Sequence, residues 1–237
     1  MKRISLVQYS AVGLILLSLL MYYVYYNQTG NFNSPIIEFE FVKNQQDVKN
    51  IFLENNEIKH NIVKGVKDQN IVDYAYMFFY ASLLFFAFRK LSLGEKKKIY
   101  YIGIAFSIIA LISDIIENIQ LFQISELLIN RIDFSKPVKI LFIITRLKWL
   151  SLAFAFIILS VHYYKYKFLG KLFALISILP LLSVLTFIIF GNSNNSFYNI
   201  FTGFIMLAFV ILMIWIFIPH KNNKENINFY NSVKNTL

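Results

Sequence analysis

Asp114, Glu117 and Asn118 sit inside the apolar run Ile99 to Leu121, and Lys148 sits inside another, Val138 to Tyr163. An ionised side chain in hydrocarbon costs ~3 kcal/mol even on lenient insertion scales, so such residues are compensated and default to functional candidates. Carboxylates of this kind can hold a cation, relay protons or do acid–base work, and an ammonium beside them can stabilise negative charge. Lys148 is therefore expected to pair with Asp114 or Glu117.

Helical spacing sharpens that expectation. Gly103, Ser107, Ala110, Asp114, Glu117, Asn118 and Leu121 recur by threes and fours along one side of a helix. A stripe of small residues lets a neighbouring helix approach closely, so the carboxylates should face protein rather than lipid. Asp73, Tyr76 and Tyr80 share a face of the preceding apolar segment. Thr145, Lys148 and Leu152 share a face of the following one, with Trp149 beside Lys148. Arg146 is about 160° around that helix from Lys148, so it is expected to snorkel outward or to meet Asp73. At 1.5 Å per residue, Glu117 lies roughly 6 Å, Asp114 roughly 10 Å and Lys148 roughly 14 Å from one membrane boundary. The candidate intramembrane site is thus Asp73, Tyr80, Asp114, Glu117, Asn118, Thr145, Lys148 and Trp149. The bland alternative is a structural ion-pair network that fixes helix register.

Bulk composition sets the frame. Of 237 residues, 57% are hydrophobic, against about 45–50% in soluble domains, and mean hydropathy is +0.57. Runs of about 20 apolar residues make this a membrane protein. The predicted fold is all-α, a polytopic membrane bundle of six transmembrane helices with a short extracytoplasmic segment between the first and second. The divisions are 1–26, an uncleaved first helix; 27–70, an extracytoplasmic amphipathic segment; 71–218, a five-helix bundle; and 219–237, a disordered cytoplasmic tail.

Net charge is +10. The cations gather in short loops, Arg89, Lys90, Lys96, Lys97 and Lys98 in one and Lys165, Lys167 and Lys171 in another. That pattern marks cytoplasmic loops facing anionic lipid rather than a nucleic-acid surface. Both termini are expected in the cytoplasm, and the location is a bacterial cytoplasmic (inner) membrane. The chain has no cysteine, which excludes disulfides and thiol chemistry. Its three histidines, His60, His162 and His220, lie too far apart for one metal. A carboxylate-only Mg²⁺ or Ca²⁺ site is disfavoured by Lys148. No cofactor is expected.

Within 27–70, Pro35 opens the piece IIEFEFV, whose alternation at Glu38 and Glu40 predicts an extended strand. Two short amphipathic helices should follow, the first capped by Asn44. With few large apolar groups, this segment should lie on the membrane surface or pack over the helix ends. Pro180 predicts a kink in the fifth helix, and GNSNNS an outside turn before the sixth.

The order of features resembles an uncharacterised family of small bacterial polytopic membrane proteins. The motifs are Glu38-Phe39-Glu40 after the first helix, Asp73 to Tyr80 on the second, D-x-x-E-N at Asp114 to Asn118, and T-x-x-K-W at Thr145 to Trp149. The resemblance covers Pro35 to His162 and implies no known activity. It marks Asp73, Asp114, Glu117, Asn118 and Lys148 as the positions to test. The expected function is non-enzymatic: binding a small or lipidic ligand, or a partner subunit, at a buried charged site in the outer half of the membrane. The alternative is an outer-leaflet lipid-modifying enzyme using carboxylate acid–base chemistry. A proton- or cation-coupled carrier ranks last, because no internal repeat accompanies the lone helix break. The lipid bilayer is the expected partner; oligomeric state is not legible.

Overall fold

The computed structural model describes residues 5–31, 33–190 and 195–217. Expectations for Met1 to Arg3, most of the GNSNNS turn and the tail lie outside these residues. Among them the chain forms eight helices and one two-residue hairpin. Helix α1 spans Leu6–Thr29 and ends on Gly30 in the left-handed conformation, φ 67°. Then come α2 (Ile36–Glu40), α3 (Gln45–Phe52), β1 (Leu53–Glu54), β2 (Glu57–Ile58), α4 (His60–Glu95), α5 (Ile99–Ile129), α6 (Ser135–Tyr163), α7 (Phe168–Phe190) and α8 (Asn195–Phe217). Four of them, α1, α4, α5 and α6, are long and apolar enough to cross a membrane. Helices α7 and α8 are apolar too, but their uninterrupted described stretches, Phe168–Ser183 and Thr202–Phe217, are shorter.

The long helices pack in chain order. α1 lies on α4, α4 on α5, α5 on α6, α6 on α7 and α7 on α8, while α8 returns to touch α1. The stripe on α5 makes this possible: Gly103, Ser107, Ala110, Asp114, Glu117, Asn118 and Leu121 are all buried. Ile102, Ile108, Ile109, Ile112 and Ile119 face outward. At Gly103 an added Cβ would lie 2.5 Å from the ring of Phe88, which is itself fully buried. Only hydrogen fits between α4 and α5 there.

The fold contains two cores. The larger joins α1, α4, α5, α6, α7 and α8 around Phe88, Tyr100, Phe156 and Phe209. The second is a cap of Phe39, Val42, Val48, Phe52, Val63, Val66, Leu121, Ile124, Leu128, Phe134, Val138 and Leu141. It exists because α4 and α5 have 36 and 31 residues, well beyond the ~20 that cross hydrocarbon. Their surplus turns, with the start of α6, supply the apolar partners that residues 27–59 lack alone. Of the two placements expected for this segment, it packs over the helix ends.

Several local expectations are corrected. IIEFEFV is not extended. Pro35 begins a helical turn, its carbonyl accepts the Phe39 N–H at 2.8 Å, and Phe39, Glu40, Phe41 and Val42 are all buried. A strand would send Phe39 and Glu40 to opposite faces; a turn wedged between two cores buries both. The second amphipathic helix and the second span are one continuous helix, α4, starting at His60 rather than Ile71. Helix α5 runs past Leu121 to Ile129. The expectation for Asn44 holds: its side chain accepts the Asp47 N–H at 3.0 Å while Asp47 accepts from Asn44 at 3.3 Å. The hairpin was not expected. It turns on Asn55 and Asn56, at φ 52° and 65°, a pair that Asn tolerates better than other side chains do.

Candidate functional site

Three elements deliver the charged groups. Helix α5 presents Asp114 and Glu117 one turn apart on its buried stripe. Helix α6 presents Lys148, 5% exposed, from the facing side. Between them reaches Glu40, at the end of α2, a residue the sequence did not single out. Lys148 Nζ donates to Glu40 Oε2 at 3.0 Å, to Asp114 Oδ1 at 3.3 Å and to Glu117 Oε1. Asp114 and Glu117 are 2% and 0% exposed, and Glu40 is 7%. An ammonium has three donors, and here each has its own carboxylate.

The cluster is extended on both sides. Tyr80 of α4 donates its hydroxyl to the other Asp114 oxygen at 2.6 Å. Trp149 Nε1 donates to Glu40 Oε2 at 3.2 Å, and the Trp149 ring stacks on Phe41 with centroids 6.1 Å apart. Glu40 is thus held from both flanks, by Phe39 in the cap core and by Phe41 in the bundle core. Beside this, Asn118 donates to Asp73 Oδ2 at 2.8 Å, and Asn70 donates to the Asn118 carbonyl at 3.1 Å. Thr145, fully buried one turn before Lys148, has no partner for its hydroxyl among the described residues, and neither does Glu117 Oε2.

The expected residues therefore divide. Tyr80, Asp114, Glu117, Lys148 and Trp149 meet in one cluster, joined by Glu40. Asp73 and Asn118 form an adjoining pair on the same helix faces. Thr145 lines the site without bonding. Arg146 does not join Asp73: its guanidinium donates to the Phe142 carbonyl at 2.7 Å and lies over the Phe142 ring. Glu40 was visible in the sequence only as part of the Glu38-Phe39-Glu40 motif, whose alternation pointed to a strand and not to this cluster.

Charge defines what the cluster can do. Among the described residues, Lys148 is the one cation on three buried carboxylates. One ammonium balances one carboxylate, so the group holds more acids than cations. No three His, Cys, Asp or Glu among the described residues are placed to hold a metal ion. For Glu40, which belongs to no membrane-crossing helix, burial is the largest influence and raises its carboxyl above the usual range, with Lys148 opposing.

A second polar node lies at the opposite end of the bundle. Glu95, at the end of α4, accepts from Tyr100 at 2.7 Å, meets His162 Nδ1 at 2.6 Å and pairs with Lys165 and, at 3.9 Å, Lys97. His162, Tyr163, Tyr166, Phe173 and Trp215 pack ring to ring beside it. This node ties the two basic loops together.

Comparison with protein-family models, characterised proteins and solved structures finds no match to this chain. The reading of function rests on the cluster itself.

Proposed function

We propose that this is a six-span protein of a bacterial cytoplasmic membrane that binds a small or lipidic ligand carrying a positive charge at the Lys148 cluster. The observation that carries the reading is the ratio of three buried carboxylates to one ammonium. A structural ion pair needs one of each, and a surplus of buried negative charge destabilises a fold that has no use for it. A bound ammonium group supplies the positive charge that these carboxylates lack. Entry requires α2 to lift, because Glu40 and Trp149 cover the cluster from the cap side.

The orientation reading is supported by the Glu95 node, which joins Lys97 and Lys165, one from each basic stretch, beside Arg89 and Lys90 in the last turns of α4. Basic short loops mark the cytoplasmic side, so the cap and the site belong to the outer half, with both termini inside. Glu40, Tyr80, Asp114, Glu117, Lys148 and Trp149 come from stretches far apart in the chain and meet in one place.

The test is a stability measurement on purified protein in zwitterionic nanodiscs. Ethanolamine, choline and a primary-amine lipid should raise the melting temperature through binding to the folded state. Asp114→Asn with Glu117→Gln should abolish the effect. No shift with any ammonium probe, or an equal shift with anionic probes, rules the reading out. An outer-leaflet lipid-modifying enzyme is the second reading, favoured by the unpartnered Glu117 Oε2 beside Lys148, a base next to a charge stabiliser. Unchanged lipid profiles in cells with and without the protein would dismiss it.

A further inference from the structure

The cap carries a cavity unrelated to the Lys148 cluster. It has a volume of about 370 Å³, within the range of small-molecule sites. It opens between α3 with the hairpin on one side and the α5–α6 turn on the other. Leu53, Ile58, Leu128 and Phe134 give it apolar walls; Lys49 and Arg131 stand at its edge.

Two observations set its chemistry. First, Lys49 and Arg131 form no ion pair among the described residues, and together they outnumber Asp133, the one carboxylate in the cavity lining. Asp133 accepts from Gln45 and from Ser135, the latter at 2.8 Å, and these bonds hold its carboxyl below the usual range. Second, Arg131 occupies a glycine position. Helix α5 ends in a paired closure: Ile132 N–H bonds the Leu127 carbonyl at 2.9 Å and Arg131 N–H bonds Leu128 at 3.1 Å. The residue that closes such an end adopts the left-handed conformation and is usually glycine. Arg131 has φ 57°, a conformation that strains a residue with a side chain. That strained position puts Arg131 in the cavity lining.

We propose that this cavity binds an amphiphilic anion, a carboxylate or phosphate head on a short apolar body. The head sits between Lys49 and Arg131, and the body lies on Leu53, Ile58, Leu128 and Phe134. The head could be that of a free metabolite or of a lipid standing beside the cap, and the two sources share one chemistry.

The experiment uses the full chain in zwitterionic nanodiscs, with calorimetric titration of octyl phosphate, octanoate and inorganic phosphate. A parallel arm compares melting temperature in nanodiscs with and without phosphatidylglycerol. The decisive variant is Arg131→Gly, which removes the guanidinium and relaxes the backbone. The expected result is a higher melting temperature than wild type together with at least tenfold weaker binding of octyl phosphate; Lys49→Gln should weaken it similarly. Inorganic phosphate should bind far more weakly than octyl phosphate. Response to octyl phosphate but not to phosphatidylglycerol assigns a free ligand, and the reverse assigns a lipid. Binding by Arg131→Gly equal to wild type, or no response in either arm, overturns the proposal.

Discussion

Lys148 and Glu40, 108 residues apart in sequence, meet at 3.0 Å in the interior of the protein. One belongs to a helix long enough to cross the membrane. The other ends a five-residue helix that crosses nothing. Their contact pins the cap to the bundle. Ser34 bonded to Gln69 on one side, and the Asn44–Asp47 cap on the other, hold the ends of this short segment.

Removing Lys148 should be costly. Lys148→Met leaves three buried carboxylates without their shared cation, and breaking a buried pair from one side costs about 3–5 kcal/mol. Folded yield after detergent extraction should fall sharply. Adding Asp114→Asn and Glu117→Gln should recover most of it. Recovery without ligand binding would separate the fold's need for balance from the site's function.

Docking of α2 should weaken as pH rises. Burial raises the Glu40 carboxyl above its value in the unfolded chain, so the docked state takes up a proton more readily than the undocked one. Its stabilisation is full at acid pH and is lost as pH climbs through the raised value. Hydrogen exchange at residues 36–43, corrected for intrinsic rates, should accelerate with pH. Glu40→Gln keeps an acceptor for Trp149 and Lys148 and should flatten the dependence.

Tyr80→Phe removes the donor to Asp114 but keeps the ring against Phe209, 5.8 Å between centroids. Loss of one partner of a buried, charge-assisted bond costs about 1–3 kcal/mol. Thermal unfolding should report a loss of that size.

Gly103→Ala should destabilise by about 1–3 kcal/mol, as overpacking of a close contact does. The added methyl would meet the Phe88 ring, which has no free space to turn into. Pairing it with Phe88→Leu should restore part of the loss, measured by the same unfolding signal.

Periodicity carried much of the architecture. The α5 stripe was readable because six small or polar residues, with Leu121 after them, fell on one face of an apolar helix, and all seven are buried. Lys148 was readable because an unpaired ammonium in hydrocarbon demands a partner. Glu40 was not, because E-F-E-F has the period of a strand, and only tertiary wedging between two cores turns five residues into a helix. The continuity of α4 was hidden by polar residues from His60 to Asn70, which read as a surface segment. In the fold they cover the cap core, where Gln69 and Asn70 are 3% and 1% exposed. Arg146 was expected to snorkel or to meet Asp73; in the fold its guanidinium bonds the carbonyl of Phe142, one turn back on its own helix.

The most direct measurement is infrared absorption of carboxylic-acid groups in the purified protein at neutral pH. The expected result is a protonated carboxyl band that is lost in Glu40→Gln, whose burial raises its carboxyl, and that diminishes on adding an ammonium ligand. A spectrum with no protonated carboxyl before ligand, or a band indifferent to both Glu40→Gln and the ligand, would contradict a cluster that accepts positive charge beyond Lys148.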